Sequence, residues 1–257
     1  MRIGSLFSGI GGLELGLERA GVGHTVWQVE IEPYCRSVLT KHWPKADRFN
    51  DVKECSYRNL APVDLICGGF PCQDVSSAGK RAGLAGARSG LWWEYLIIVS
   101  ELGPEWVVVE NVASGASLWT DTVLNGLGEL GYACLPIPIA AADVGAPHLR
   151  KRIFIVAHLD QATEPTRALD AEVACAPTAA DTDQETQRCL SGTIGGHPTN
   201  TEPSEDHWRF PMSEMVRVVH GVSRQLDSPR RRIGALGNSV VPQCAEVIGH
   251  VILELIR

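Results

Sequence analysis

Over its first 158 residues the chain alternates short apolar runs with stretches of helical periodicity. The run RIGSLF (2–7) predicts a strand, the glycines at 9, 11 and 12 a turn, and LELGLERAG a helix. HTVWQVE (24–30) predicts a second strand ending in an acid, and PYCRSVLTKHW a second helix. VDLICGG (63–69) is continuous and apolar, as a strand buried on both faces should be. LWWEYLIIVSEL predicts a helix, EWVVVENV a strand, TDTVLNGLGELGY a helix, and RIFIVAH (152–158) a last strand. Such alternation predicts an open, mostly parallel, doubly wound sheet with helices on both faces, hence an α/β fold. Ligands of such sheets bind at the carboxyl ends of the strands.

After His158 the pattern changes. Residues 159–206 are rich in Ala, Thr, Asp, Glu and Pro, show little periodicity and predict a partly disordered segment. Periodicity resumes at MVRVVHGVSRQL, and ALGNSVVPQCAEVIGHVILELIR predicts a turn followed by an apolar helix. The organisation expected is a core over 1–158, a short lobe over 159–232, and a helix over 233–257 that returns to the core. A chain of 257 residues has room for a core domain and a smaller lobe.

The net charge of −7 argues at first against a nucleic-acid partner. Its distribution reverses that. Between Asp160 and Asp206 ten acids stand against Arg167 and Arg188, a local balance of −8, so the remainder is +1 and carries basic clusters at 80–81, 150–152 and 230–232. The eight cysteines include no C-x-x-C pair, which disfavours a zinc site or redox dithiol, and no metal is expected. No run of about 18 apolar residues exists, and the start lacks a basic segment followed by an apolar one. The expectation is a cytoplasmic protein without membrane association.

FSGIGG, between a strand and a helix, suits a turn that lets a ligand approach the backbone, although it is neither G-x-G-x-x-G nor a Walker loop. Glu30, about 20 residues on, stands where a carboxylate accepts from ribose hydroxyls, so the pair suggests adenosine without choosing a cofactor. Most cysteines are small buried hydrophobes, and Cys67, inside an apolar strand, is assigned to the core. Cys72 instead follows Pro71 at a strand end, with Lys80, Arg81 and Arg88 nearby in a glycine-rich loop, conditions that expose a thiol and favour its thiolate. Glu110, after WVVV, emerges from an apolar wall where desolvation favours its protonated form. Arg150 and Arg152, two apart at a strand start, should share one face, either as a solvated edge or as a grip on an anionic or polar group.

In this order the motifs LFSGIGGLELGLERAG, EIEPYC, GGFPCQDVSSAGKRAGL, ENV, HLRKR and LGNSVVPQ resemble those of the cytosine-C5 DNA methyltransferase family, over residues 1–158 and 233–257. The resemblance implies a Rossmann-like S-adenosylmethionine-dependent methyltransferase fold with a small target-recognition lobe. It implies S-adenosylmethionine resting against Phe7, Ser8, Gly9, Gly11, Gly12 and Leu13, with Glu30 on the ribose and Ile31 and Asp51 at the adenine. Val52, Pro71, Asn238 and Ser239 complete that implied pocket. Cys72 would add to C6 of a cytosine flipped from double-stranded DNA, with Glu110, Arg152 and Arg150 as its catalytic partners, Arg150 supporting the loop and thiol. Gln73, Ser76, Lys80, Arg81 and Arg88 would contact DNA.

The chain departs from the family pattern in three places. His148 stands where the family has glutamine, an Arg-Glu-x-Ala motif before the last helix is replaced in the manner of compact prophage members, and the target-recognition stretch is short and acidic. The implied partner is DNA, met by a monomer, with a cognate restriction endonuclease left as a candidate partner. Two other functions stay open at this point: a catalytically impaired DNA-binding accessory protein, and a tRNA cytosine-C5 methyltransferase, whose usual Cys-Phe-Thr segment is absent here.

Overall fold

The computed structural model describes residues 1–71, 90–159 and 229–256. Seven strands form one sheet: β1 (Arg2–Leu6), β2 (His24–Val29), β3 (Asp47–Phe49), β4 (Leu65–Gly68), β5 (Trp106–Val112), β6 (Tyr132–Ala140) and β7 (Lys151–Leu159). The helices are α1 (Gly12–Arg19), α2 (Pro33–His42), α3 (Leu91–Leu102), α4 (Thr120–Glu129), α5 (Pro229–Asn238) and α6 (Pro242–Leu255). The sheet order is β3-β2-β1-β4-β5-β7-β6. The first five strands in that order run parallel, whereas β7 is antiparallel to both β5 and β6. Neighbouring β1 and β4 carry the chain to opposite sides of the sheet, which opens a crevice at their carboxyl ends.

Continuous apolar sequence in β4 and β5 is explained by burial on both faces. On one face Ile66, Val107 and Val109 meet Trp92, Tyr95 and Val99 of α3 and Val123 and Leu127 of α4. On the other, Leu65, Cys67 and Val108 meet Leu13 and Leu17 of α1 and Ala245, Ile248 and Ile252 of α6. Cys67 is thus a core residue, as its position in an apolar strand predicts. The last helix packs on α1, so the end of the chain reaches the glycine turn at its beginning.

Three elements differ from the sequence expectation. β6 was not among the predicted strands; Pro136 and Pro138 lie in it, and it tolerates them because it is the sheet edge and needs no ladder on its outer side. The three residues of β3 were too short to register as a run. Residues 235–238, expected in a turn, complete α5, and Pro242 then opens α6 at the first helical position. The expected disorder of 159–206 lies outside the described residues, apart from Leu159 at the end of β7.

Candidate active site

The crevice is a cleft of about 910 Å³. At one end β1 runs into the glycine turn, where Phe7 takes a left-handed φ of 54° and stacks on Tyr95 with ring centroids 6.5 Å apart. Gly9 has φ 56° and open space where a Cβ would stand, so the backbone there presents itself directly to the cleft. Glu30, one residue beyond β2, is fixed by two amides: Gly9 N–H donates to Oε2 at 2.7 Å and Glu32 N–H to Oε1 at 2.8 Å. Each oxygen keeps a further lone pair for a ligand hydroxyl. Arg36 donates to the carbonyls of Glu30 and Ile31 at 2.9 and 2.6 Å and holds that corner from below.

Beside this acid Ile31 is 69% exposed on the cleft wall, an unusual position for a large aliphatic side chain unless a flat apolar group covers it. Asp51 also lines the cleft; its carboxylate accepts from Lys53 N–H at 3.0 Å and caps the 3-10 turn that buries Val52. Acid, aliphatic wall and second acid together fit an adenosine moiety. A recess of about 50 Å³ continues past Phe7 and Gly9 between Ser8, Gly12 and Leu13 on one side and Asn238 and Ser239 on the other. A Cβ at Gly12 would lie 2.3 Å from the Val240 carbonyl, so this residue must be glycine for the C-terminal segment to close here.

The other end of the cleft is built by β4, β5 and β7. Glu110 lies in β5, 9% exposed, with Oε1 2.8 Å from Nε of Arg152. Burial raises its carboxyl above the ordinary value, while Arg152 and Arg150 pull it back. Neighbouring Asn111 is buried, and its amide donates to the Phe70 carbonyl at 3.3 Å, fixing the backbone that leads into Pro71 on the cleft wall.

Among the expected residues, Phe7, Gly9, Glu30, Ile31, Asp51, Val52, Pro71, Glu110, Arg152 and Asn238 line the cleft, and Ser8, Gly12, Leu13 and Ser239 line the recess. Gly11 caps α1 with φ 85° and faces the Trp43 ring, so it supports the turn from outside. The shared face expected for Arg150 and Arg152 is broken, because Arg150 precedes the strand with φ 30° and donates to Gly237 and Ser239 carbonyls. Cys72, Gln73, Ser76, Lys80, Arg81 and Arg88 lie outside the described residues. Arg231, which also lines the cleft, falls in the basic cluster at 230–232, whereas Arg36 and Asn111 were not singled out from sequence. Only Asn111, beside Glu110 in ENV, carried a visible signal.

A mostly parallel sheet with an antiparallel β7 and a cleft at its switch point has the Rossmann-like α/β arrangement of methyltransferases. A family model for C-5 cytosine-specific DNA methylases matches residues 1–213, and the chain belongs to that family. The type II methyltransferase M2.BsuMI of Bacillus subtilis is 35% identical over 167 residues, which cover 62% of this chain and 42% of the relative. The chain therefore spans less than half of that relative. A prophage-encoded Escherichia coli protein, solved as a DNA modification methyltransferase, is 30% identical with TM-score 0.52, covering 62% of this chain and 47% of its own. The Entamoeba histolytica methyltransferase EhMeth is 17% identical and shares the fold, with TM-score 0.64 over 99% of this chain and 98% of its own.

Proposed function

We propose that this chain is a DNA (cytosine-5-)-methyltransferase that methylates a cytosine flipped out of double-stranded DNA through a covalent adduct with Cys72. The observation that carries the reading is one cleft lined at one end by Glu30, held ready by two amides, and at the other by a buried Glu110 paired with Arg152. Glu30, Ile31, Asp51 and the open backbone at Gly9 fit S-adenosylmethionine, which when bound supplies a methyl group that a carbon nucleophile takes from sulfur.

In this reading the Cys72 thiolate adds to C6 of cytosine, and the C5–C6 π electrons move to make C5 nucleophilic. Glu110 donates to N3 and stabilises the charge that moves into the ring; a raised carboxyl value keeps the proton available for that purpose. Arg152 holds Glu110 in place and offers a donor toward O2. After C5 is methylated, water removes its proton, the double bond re-forms, and the C6–S bond breaks to return the thiolate.

Residues 159–232 serve as the target-recognition region between a core of 1–158 and a returning segment of 233–257, with Gln73, Ser76, Lys80, Arg81 and Arg88 on DNA. The protein acts as a cytoplasmic monomer. The type II naming of its relatives extends to a restriction–modification setting with a cognate endonuclease. Among the described residues no helix is long and apolar enough to cross a membrane. The test is to incubate purified protein and a Cys72→Ser variant with mixed-sequence duplex DNA and S-adenosylmethionine, and to sequence for 5-methylcytosine. Methylation at one short motif, absent in the variant, supports the reading; unmodified DNA with wild-type protein overturns it.

A further inference from the structure

The resemblance gives Arg150 the role of supporting the loop and thiol, and two of its nitrogens are engaged at the far end of the chain. Nη1 donates to the Gly237 carbonyl at 2.8 Å and Nη2 to the Ser239 carbonyl at 2.6 Å, across 87 and 89 residues of chain. The two carbonyls flank Asn238, the last residue of α5 and a lining residue of both cleft and recess. Helix α5 has no basic residue in its own last turn, so Arg150 supplies a cation to its terminal Gly237 carbonyl and to the Ser239 carbonyl just beyond it. A planar guanidinium offers the two oxygens donors in one rigid fork, whereas an ammonium is a point charge on a flexible stem.

The clamp has little slack. The Cβ position of Gly12 lies 2.6 Å from Ser239 Oγ and 2.3 Å from the Val240 carbonyl, so the clamped segment lies against the start of α1. Arg150 holds its left-handed φ of 30° although it is not glycine. Arg152, two residues on, pairs with Glu110. One short turn thus fixes the cofactor end of the cleft with its first arginine and the base end with its second.

We propose that Arg150 is a positioning residue for the cofactor site, holding Asn238 and Ser239 over the glycine turn. The inference deepens the reading given above and rests on it. Its consequence is a split between binding and turnover. Arg150→Met keeps most of the aliphatic stem and removes the donors, so S-adenosylhomocysteine should bind at least tenfold more weakly by calorimetry. The cofactor KM should rise in parallel, while kcat at saturating cofactor stays within about threefold. Arg150→Lys should recover only part of the affinity.

Amide hydrogen exchange supplies a readout that needs no ligand. In Arg150→Met, exchange should quicken over residues 236–241 and stay unchanged in β5, whereas general loss of fold would quicken both. Equal affinity of wild type and variant for S-adenosylhomocysteine, or a collapse of kcat with affinity intact, overturns the inference alone. Wild-type protein that binds no S-adenosylhomocysteine overturns the reading beneath it, whatever the exchange shows.

Discussion

Glu110 and Arg152 meet across the antiparallel pair of β5 and β7, with Oε1 and Nε 2.8 Å apart and both side chains largely buried. In the register Arg152 stands opposite Val112, two residues beyond Glu110, so both side chains emerge on the same face of the sheet. An antiparallel seventh strand is what delivers a cation to the end of a parallel one. Removing one member leaves the other buried without its partner, and this costs more than the pair contributes.

Arg152→Met should therefore lower kcat about a hundredfold and destabilise the fold by about 2 kcal/mol, less than the ~3–5 kcal/mol of a fully charged orphan because Glu110 can take up a proton. Urea unfolding and single-turnover kinetics measure the two effects. A variant with wild-type stability and rate would show that the pair is incidental.

The pH dependence has a definite sign. Burial raises the Glu110 carboxyl, so the protonated, donating form persists to higher pH than for a free carboxylate, and the rate should fall as pH rises through that raised value. Arg152 opposes the rise, so in Arg152→Met the falling limb should move to higher pH. In Glu110→Gln, which donates but cannot titrate, the limb should vanish and kcat should drop by about 10²-fold. A falling limb that stays put in both variants would assign it to another group.

The parallel core was legible because its strands are buried on both faces and read as unbroken apolar runs, as WVVVENV does. The edge was not, because Pro136 and Pro138 signal against a strand unless one already knows that nothing pairs outside it. At the site, Glu30 and Glu110 stand out in sequence as acids closing apolar runs. Arg36 and Arg150 act instead through contacts with carbonyls, and a carbonyl partner leaves no trace in residue identity. The Arg150 contacts reach residues 87 and 89 positions away, a pairing that strand and helix periodicity cannot report.

Gly12→Ala tests the closure between the two ends of the chain. Its Cβ would need the Val240 carbonyl, now 2.3 Å away, to retreat by about 1 Å to reach ordinary contact, and that oxygen belongs to backbone rather than to a flexible side chain. The variant should lose about 1–3 kcal/mol of stability. Binding of S-adenosylhomocysteine should weaken at least tenfold. Retention of both stability and affinity, read by thermal unfolding and calorimetry, would mean that the C-terminal segment does not pack on this turn.

Glu14 lies in the first turn of α1 with no exposed surface, enclosed by Ser5, Ser8 and Gln28. Its Oε1 accepts from Gln28 Nε2 at 3.3 Å, whereas Oε2 has no hydrogen-bond partner among the described residues. Burial raises its carboxyl value, and the hydrogen bonds from Ser5, its own backbone, Ser8 and Gln28 only partly offset the rise. A carboxyl raised on folding is held protonated more tightly by the native state than by the unfolded one. Its contribution to stability is then complete below the ordinary carboxyl value of 4.5 and is lost as pH climbs through the raised one. Glu14→Gln keeps the shape and removes the titration, so the stability of wild type relative to the variant should decline from pH 5 to pH 8. A change of about 1 kcal/mol corresponds to about 2–4 °C in Tm for a chain of this size. Thermal unfolding of both proteins at the two pH values measures it, and a difference in Tm that does not move with pH would show that Glu14 does not carry this linkage.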